Sequence, residues 1–242
     1  MRKAIIIALG TAAAAGLAGC GSARSEDAGP QTERSYQVGN FQRLEVAGSY
    51  DIDVRTGAQP SVHASGAQRD LDRMVVEVRG NTLQIHPQKR GSFNFGSWHG
   101  GKVRLTVTVP SLAAAEIAGS GDVTVDKVAG EAFEGHVAGS GGIRVGQVDV
   151  RQLKMGIAGS GEIEAGGGRA GNVQYEIAGS GDIRAGSVVA QTAKVDIAGS
   201  GNVAAHATQT AAVDIAGSGD VNLTGGAKCT VSKAGSGDVT CS

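Results

Sequence analysis

The sequence predicts an all-β protein, a right-handed parallel β-helix (solenoid) with irregular N-terminal coils. Three observations carry that prediction: a pentapeptide that recurs every 18 to 20 residues, apolar side chains alternating with period two on both sides of it, and an aromatic content of only 3%. The pentapeptide is Ala118-Gly119-Ser120-Gly121-Asp122, and its alanine returns at 138, 158, 178, 198, 216 and 234. Only the fifth position drifts, through Gly142, Glu162, Asp182, Asn202, Asp220 and Asp238. An earlier relative, Ala47-Gly48-Ser49-Tyr50-Asp51, stands near the start.

One residue before the alanines stand Ile117, Val137, Ile157, Ile177, Ile197 and Ile215; five after them stand Val123, Ile143, Ile163, Ile183, Val203 and Val221. Period two puts such residues on one face of a strand, so each unit reads strand, tight Gly-Ser-Gly corner, strand, looser return. One unit cannot bury its own apolar face and must stack on its copies. In-register stacking about 4.8 Å apart gives ladders of identical residues, roughly 30 Å long for seven units. Parallel connections prefer the right-handed sense. The core is then Val, Ile, Ala and Leu, which suit regular strands. The two corner glycines are explained by backbone angles that a Cβ forbids.

The elements follow in chain order. Residues 1–19 are a processing segment outside the fold: Arg2 and Lys3 give a charged start and 4–15 an apolar stretch, well short of the roughly 20 residues a spanning helix needs. It runs into Leu17-Ala18-Gly19-Cys20, which resembles the lipobox of bacterial lipoproteins. That resemblance implies cleavage before Cys20, acyl chains on its thiol and new amine, and a membrane partner reached through the lipid. Gly21, in place of a retention Asp, implies by the same resemblance the outer membrane, on its periplasmic or surface face. Residues 20–35 are then the lipidated cysteine and a flexible polar tether, and 36–242 the β domain, regular over 111–242.

Between 36 and 110, residues 44–46, 52–54, 74–78, 82–85 and 103–109 alternate as strands, and Gly80-Asn81 marks a hairpin turn. At the far end Lys233 replaces the inward isoleucine, and Cys229 and Cys241 take inward positions on the arms flanking the last corner. With Cys20 assigned to lipid, the other two form an even pair in an oxidising compartment, and a disulfide closing the C-terminal end is expected.

The segment F-x-x-L-E-V-A-G-S-Y-D-I-D-V at 41–54, then V-x-V-x-G-N-T-L-x-I at 76–85 and V-T-V-P-S-L at 107–112 leading into I-A-G-S-G-D, resembles the head GIN domain family over about residues 36–242. Its members are described as auto-transporter adhesin heads, common in surface or periplasmic lipoproteins. The resemblance implies a β-helix and carries no catalytic residue over to this chain.

A net charge of -1 leaves no basic surplus for phosphates and argues against nucleic acid. The five histidines, His63, His86, His99, His136 and His206, are scattered and there is no CxxC, so no zinc site or other cofactor is expected. The repeated Gly-Ser-Gly is not a nucleophile elbow, and its spacing departs from calcium-binding nonapeptides. Arg144, Glu164 and Arg184 form an outward ladder of alternating sign, which reads as structure. Glu176, Asp196 and Asp214 stack three acids on successive coils; beside Lys194 they read as a solvated face, with a weak divalent-cation site as the sharper alternative. Outside the repeat, the Gly/Ser-rich loop 91–101 holds Phe93, Phe95, Trp98 and His99, residue types suited to stacking a sugar or gripping a protein partner, or else to covering the open end of the helix. These features point to a non-catalytic, envelope-anchored lipoprotein acting as an adhesin-like or scaffold module. The alternatives are a polysaccharide-active β-helix enzyme, whose long loops and paired carboxylates most coils cannot spare residues for, and an envelope-assembly or sensing partner.

Overall fold

The computed structural model describes residues 29–88 and 103–242; Cys20 and the loop residues Phe93, Phe95, Trp98 and His99 lie outside them. The chain runs through β1 (Gln31–Tyr36), β2 (Arg43–Gly48), β3 (Tyr50–Thr56), β4 (Ser61–Ala67), α1 (Gln68–Asp72), β5 (Met74–Arg79), β6 (Thr82–Pro87), β7 (Val103–Val109) and β8 (Ala114–Gly119). There follow β9 (Asp122–Gly139), β10 (Gly142–Gly159), β11 (Glu162–Ala165), β12 (Gly168–Gly179), β13 (Asp182–Gly199), β14 (Asn202–Gly217), β15 (Val221–Thr224), β16 (Lys228–Gly235) and β17 (Val239–Cys241). Together they wind as a β-solenoid, the architecture the repeat predicts.

Most regular coils are one long strand bent round the stack and broken only at the Gly-Ser-Gly corner. β9 and β10 pair in parallel at an offset of 20, from Asp122↔Gly142 to Gly139↔Gly159. Between β13 and β14 the offset falls from 20 at Arg184↔Ala204 to 18 at Thr192↔Thr210. The two residues missing from the later repeats are therefore taken out of the return, and the corner is untouched. Inside, the ladder from Ile117 to Ile215 is at most 3% exposed at every rung, each side chain contributing roughly 1.5–3 kcal/mol by burial. Beside it, size is traded between neighbours: the Phe133 ring fills the room left by Gly135, and Tyr175 stands next to Val173.

The corner needs two different explanations for its two glycines. Gly179 has φ of 137°, a conformation side chains resist, and a Cβ there would also come closer than 3.0 Å to the carbonyl oxygen of Gly159. Gly181 lies outside the left-handed region, yet its Cβ would strike the Gly161 carbonyl oxygen at equally short range. Backbone angle thus accounts for the first glycine only, and the close approach of adjacent coils accounts for the second. Tyr50 takes the place of the second glycine in the coil of β2 and β3, and its side chain joins the core, 2% exposed. The fifth position is a connector. Asp182 Oδ1 accepts from the Asn202 backbone N–H at 3.1 Å, and Asp220 Oδ1 from Asp238 N–H at 2.8 Å.

The coil of β2 and β3 keeps the register of the repeat (Ala47↔Ala118, Gly48↔Gly119). After β3 the chain departs from the repeat, but β6 and β7 return in parallel against β2 and β3 (Leu44↔Leu83, Ile52↔Leu105). β4 runs antiparallel to β1 and β7, α1 follows, and β5 and β6 form the antiparallel hairpin expected at Gly80-Asn81. α1 packs on β1 and β4 with Leu71 fully buried, and Arg34 Nη1 donates to the Leu71 carbonyl at 3.0 Å, tying down the N-terminal end. One boundary is corrected: β1 takes Gln31–Ser35 from the segment assigned to the tether. This strand is held by backbone pairing to β4 and half-buries only one face, so it shows no apolar run.

At the other end Cys229 and Cys241 are joined in a disulfide, with Cα atoms 6.7 Å apart. Lys233 stands opposite Ile215 and its Nζ donates to the Gly237 carbonyl. Cys229 is half-buried and Cys241 exposed, because no further coil among the described residues covers these inward positions.

Candidate functional site

The parallel register aligns whatever stands two residues before each alanine. On the outer face of one sheet it places Glu45, Glu116, His136, Gly156, Glu176, Asp196 and Asp214 in a single column. The hairpin extends that column through Gln84 on β6 to Glu77 on β5. Beside it runs a stripe of outward alanines, exposed from Ala118 to Ala234. A Cβ on Gly156 would lie closer than 3.0 Å to the His136 ring, so the glycine is what lets the imidazole lie against the coil above.

Where the β5–β6 hairpin meets this face, a cleft of about 960 Å³ opens. Its floor is Ala47, Ala118, Ala138 and Ala158, and one wall is Val75, Glu77 and Arg79 of β5, with His86 and Pro87 of β6 beside them. An apolar floor with a few converging polar groups, at this size, is the usual form of a binding site. Its carboxylates are already engaged. Glu45 Oε2 accepts from Gln84 Nε2 at 2.7 Å, Glu77 Oε1 pairs with Arg79 at 2.8 Å and His86 Nε2 at 3.3 Å, and Glu116 pairs with Arg43 at 2.9 Å. The His86 hydrogen bond, working against slight desolvation and helped by Arg79, holds the Glu77 carboxyl below the usual range. A shallower trough of about 560 Å³ continues from His136 and Ala158 along the alanine stripe to Lys233.

The residues singled out by sequence fare differently. Glu176, Asp196 and Asp214 do share a column, but Lys154 lies 3.2 Å from Glu176 and Lys194 2.8 Å from Asp196. Among the described residues no group of three or more His, Cys, Asp or Glu could hold a metal ion. Arg144 and Glu164 pair at 2.8 Å, whereas Arg184 turns from Glu164 to Glu162 and Asp182. The aromatic loop, with Phe93, Phe95, Trp98 and His99, lies outside the described residues. The cleft itself was missed. Its only sequence signal was that Glu45, Glu116 and His136 stand two before their alanines, in phase with the three later acids; the hairpin's position beside them is not periodic.

A family model described as "Putative auto-transporter adhesin, head GIN domain" matches residues 40–227. Among solved structures, a putative adhesin from Bacteroides fragilis is similar at a TM-score of 0.80 and 22% identity, over 88% of this chain and 97% of its own. A putative lipid binding protein from Parabacteroides distasonis is similar at 0.71 and 25%, over 88% and 97%. A putative adhesin from Parabacteroides merdae is similar at 0.66 and 18%, over the same shares of 88% and 97%. No curated protein matches the chain significantly in sequence.

Proposed function

Because the chain belongs to the head GIN domain family, we propose that it is a non-catalytic, adhesin-like binding module of the cell envelope, anchored through lipid on Cys20 and holding its partner in the cleft beside the β5–β6 hairpin. The observation that carries this reading is the cleft: an apolar alanine floor with polar groups on its rim, where the β5–β6 hairpin continues the stacked sheet. The engagement of Glu45, Glu77 and Glu116 by neighbours supports a binding role over hydrolysis, which needs a carboxylate free to take or give a proton.

Lipid capture is a second reading, favoured by the apolar floor and by the lipid-binding description of the Parabacteroides distasonis neighbour. Ala138 points outward, so Ala138→Trp fills the floor without entering the core, and Ala216→Trp does the same far along the stripe as a control. The mature protein is tested on a glycan array and on vesicles of phosphatidylethanolamine and phosphatidylglycerol. The expected result is glycan binding lost in Ala138→Trp and kept in Ala216→Trp. Loss confined to the vesicle arm selects lipid, and binding that survives Ala138→Trp removes the cleft from the account. For the anchor, Cys20→Ser is expected to move the protein from the membrane fraction to the soluble one.

A further inference from the structure

We propose that two copies of this chain associate through β5, an edge strand among the described residues, paired antiparallel about a two-fold axis beside Val78. A sheet edge invites pairing unless charge, proline or a covering segment blunts it. The C-terminal edge, β16, is blunted: it carries Lys228 and Lys233 and is tied by the Cys229–Cys241 disulfide. β5 is Met-Val-Val-Glu-Val-Arg, without Pro, Gly or Lys, and among the described residues it pairs with β6 alone.

The backbone of β5 is oriented for this. The two-residue turn Gly80-Asn81 makes Arg79 and Thr82 the first hydrogen-bonded pair of the hairpin. Odd-numbered residues therefore bond toward β6, and Gln88 N–H donating to the Arg73 carbonyl at 2.7 Å continues that phase. The N–H and C=O groups of Val76 and Val78 point the other way, to the open edge. Their side chains are only partly buried against the core, so an added strand would cover them.

Charge then selects the register. Centring the pair on Val78 sets its N–H and C=O against those of Val78 in the second copy. It also sets Glu77 opposite Arg79 of the second copy, twice by symmetry, in the close non-hydrogen-bonded positions. Centring on Glu77 would oppose two like charges, and centring on Val76 would oppose Glu77 to Val75. A two-fold axis perpendicular to the sheet leaves both clefts open on the same side, which makes the pair a bivalent binder.

The test uses the mature chain with Cys20→Ser, so that lipid makes no contribution, and sedimentation velocity over a wide range of concentrations. The expected result is a species of twice the chain mass that grows with concentration. Val78→Pro removes an N–H that β6 does not use and is expected to leave a monomer with the parent's melting curve. Glu77→Arg is expected to weaken association about tenfold, and Glu77→Arg with Arg79→Glu to restore it. A single-chain mass at every concentration overturns the proposal, as does a dimer that survives both Val78→Pro and Glu77→Arg. Should Val78→Pro fail to fold, the charge swap decides alone: no recovery in the double variant rejects this edge.

Discussion

The regular stack and the segment that opens it obey different rules. From β9 onward nearly every side chain answers to the same position one coil above and one below, so residue identity is fixed by a neighbour 18 or 20 residues away. Gly181 is glycine because of the Gly161 carbonyl, and Asp182 supplies an acceptor for the Asn202 N–H of the next coil. The opening segment follows no such repeat beyond β2 and β3, on which β6 and β7 stack in parallel. It spends its residues on an antiparallel pair, a five-residue helix and a hairpin. The cleft appears at the boundary, where a non-repeating hairpin continues the sheet of the repeating face. Repetition specifies a scaffold efficiently, but identical coils offer the same shallow surface at every rung. A distinct site needs the irregular part.

The contrast breaks or survives first on glycine. Gly179 has positive φ and faces a carbonyl oxygen at clashing range, whereas a Cβ on Gly39 would meet nothing within 4 Å. Gly179→Ala is expected to cost more than about 3 kcal/mol, from strain and steric conflict together. Gly39→Ala is expected to change stability by less than about 1 kcal/mol. Urea denaturation of both variants measures this, provided the slopes match that of the parent. Equal effects would mean that the stack relaxes around an added methyl and that its glycines are not set by their neighbours.

The two ends give the next test. The N-terminal end is closed by buried apolar groups, Leu71 of α1 and Phe41, both at most 1% exposed. The C-terminal end leaves Val231 45% exposed and relies on the Cys229–Cys241 bond across a sequence separation of 12. Replacing both cysteines by serine is expected to cost about 2–3 kcal/mol. Hydrogen exchange should rise in β16 and β17 while α1 and β1 stay protected. Loss of protection spread evenly over the chain would show a stack that opens only as a whole.

How much of this was legible follows from the same division. The stack was readable because Ile117, Ile157 and Ile197 sit at equal distances before equal corners, and the cysteine pair because the repeat gave each a place on the coil. β1 was not, since Gln31–Tyr36 is polar and its pairing is made by backbone. Nor was α1, whose five residues carry no side-chain cap. The cleft depends on β6 pairing with β2, which brings β5 to the face that carries Ala118 and Ala138, a long-range placement that no local pattern records. Arg184 choosing Glu162 over its register partner Glu164 is the same lesson in one side chain.

The smallest effect tests the seam between the two regions. Asp126 of β9 accepts from Thr56 N–H and Oγ1 of β3, both at 2.9 Å, and so fastens the stack to its first coil. Partial desolvation raises its pKa, but the hydrogen bonds from Thr56 and the Lys127 N–H together outweigh it, and the carboxyl titrates below its ordinary value. A depressed carboxylate contributes stability that is present above the unfolded pKa of about 4 and is lost as pH falls through the lower folded value. Asp126→Asn keeps one acceptor and removes the charge. At pH 7 it should therefore cost less than about 1 kcal/mol, given the solvent exposure of the group. The gap between variant and parent should close as pH falls through the acid range. A gap unchanged down to acid pH would mean that shape alone, with no part for charge, joins the irregular segment to the stack.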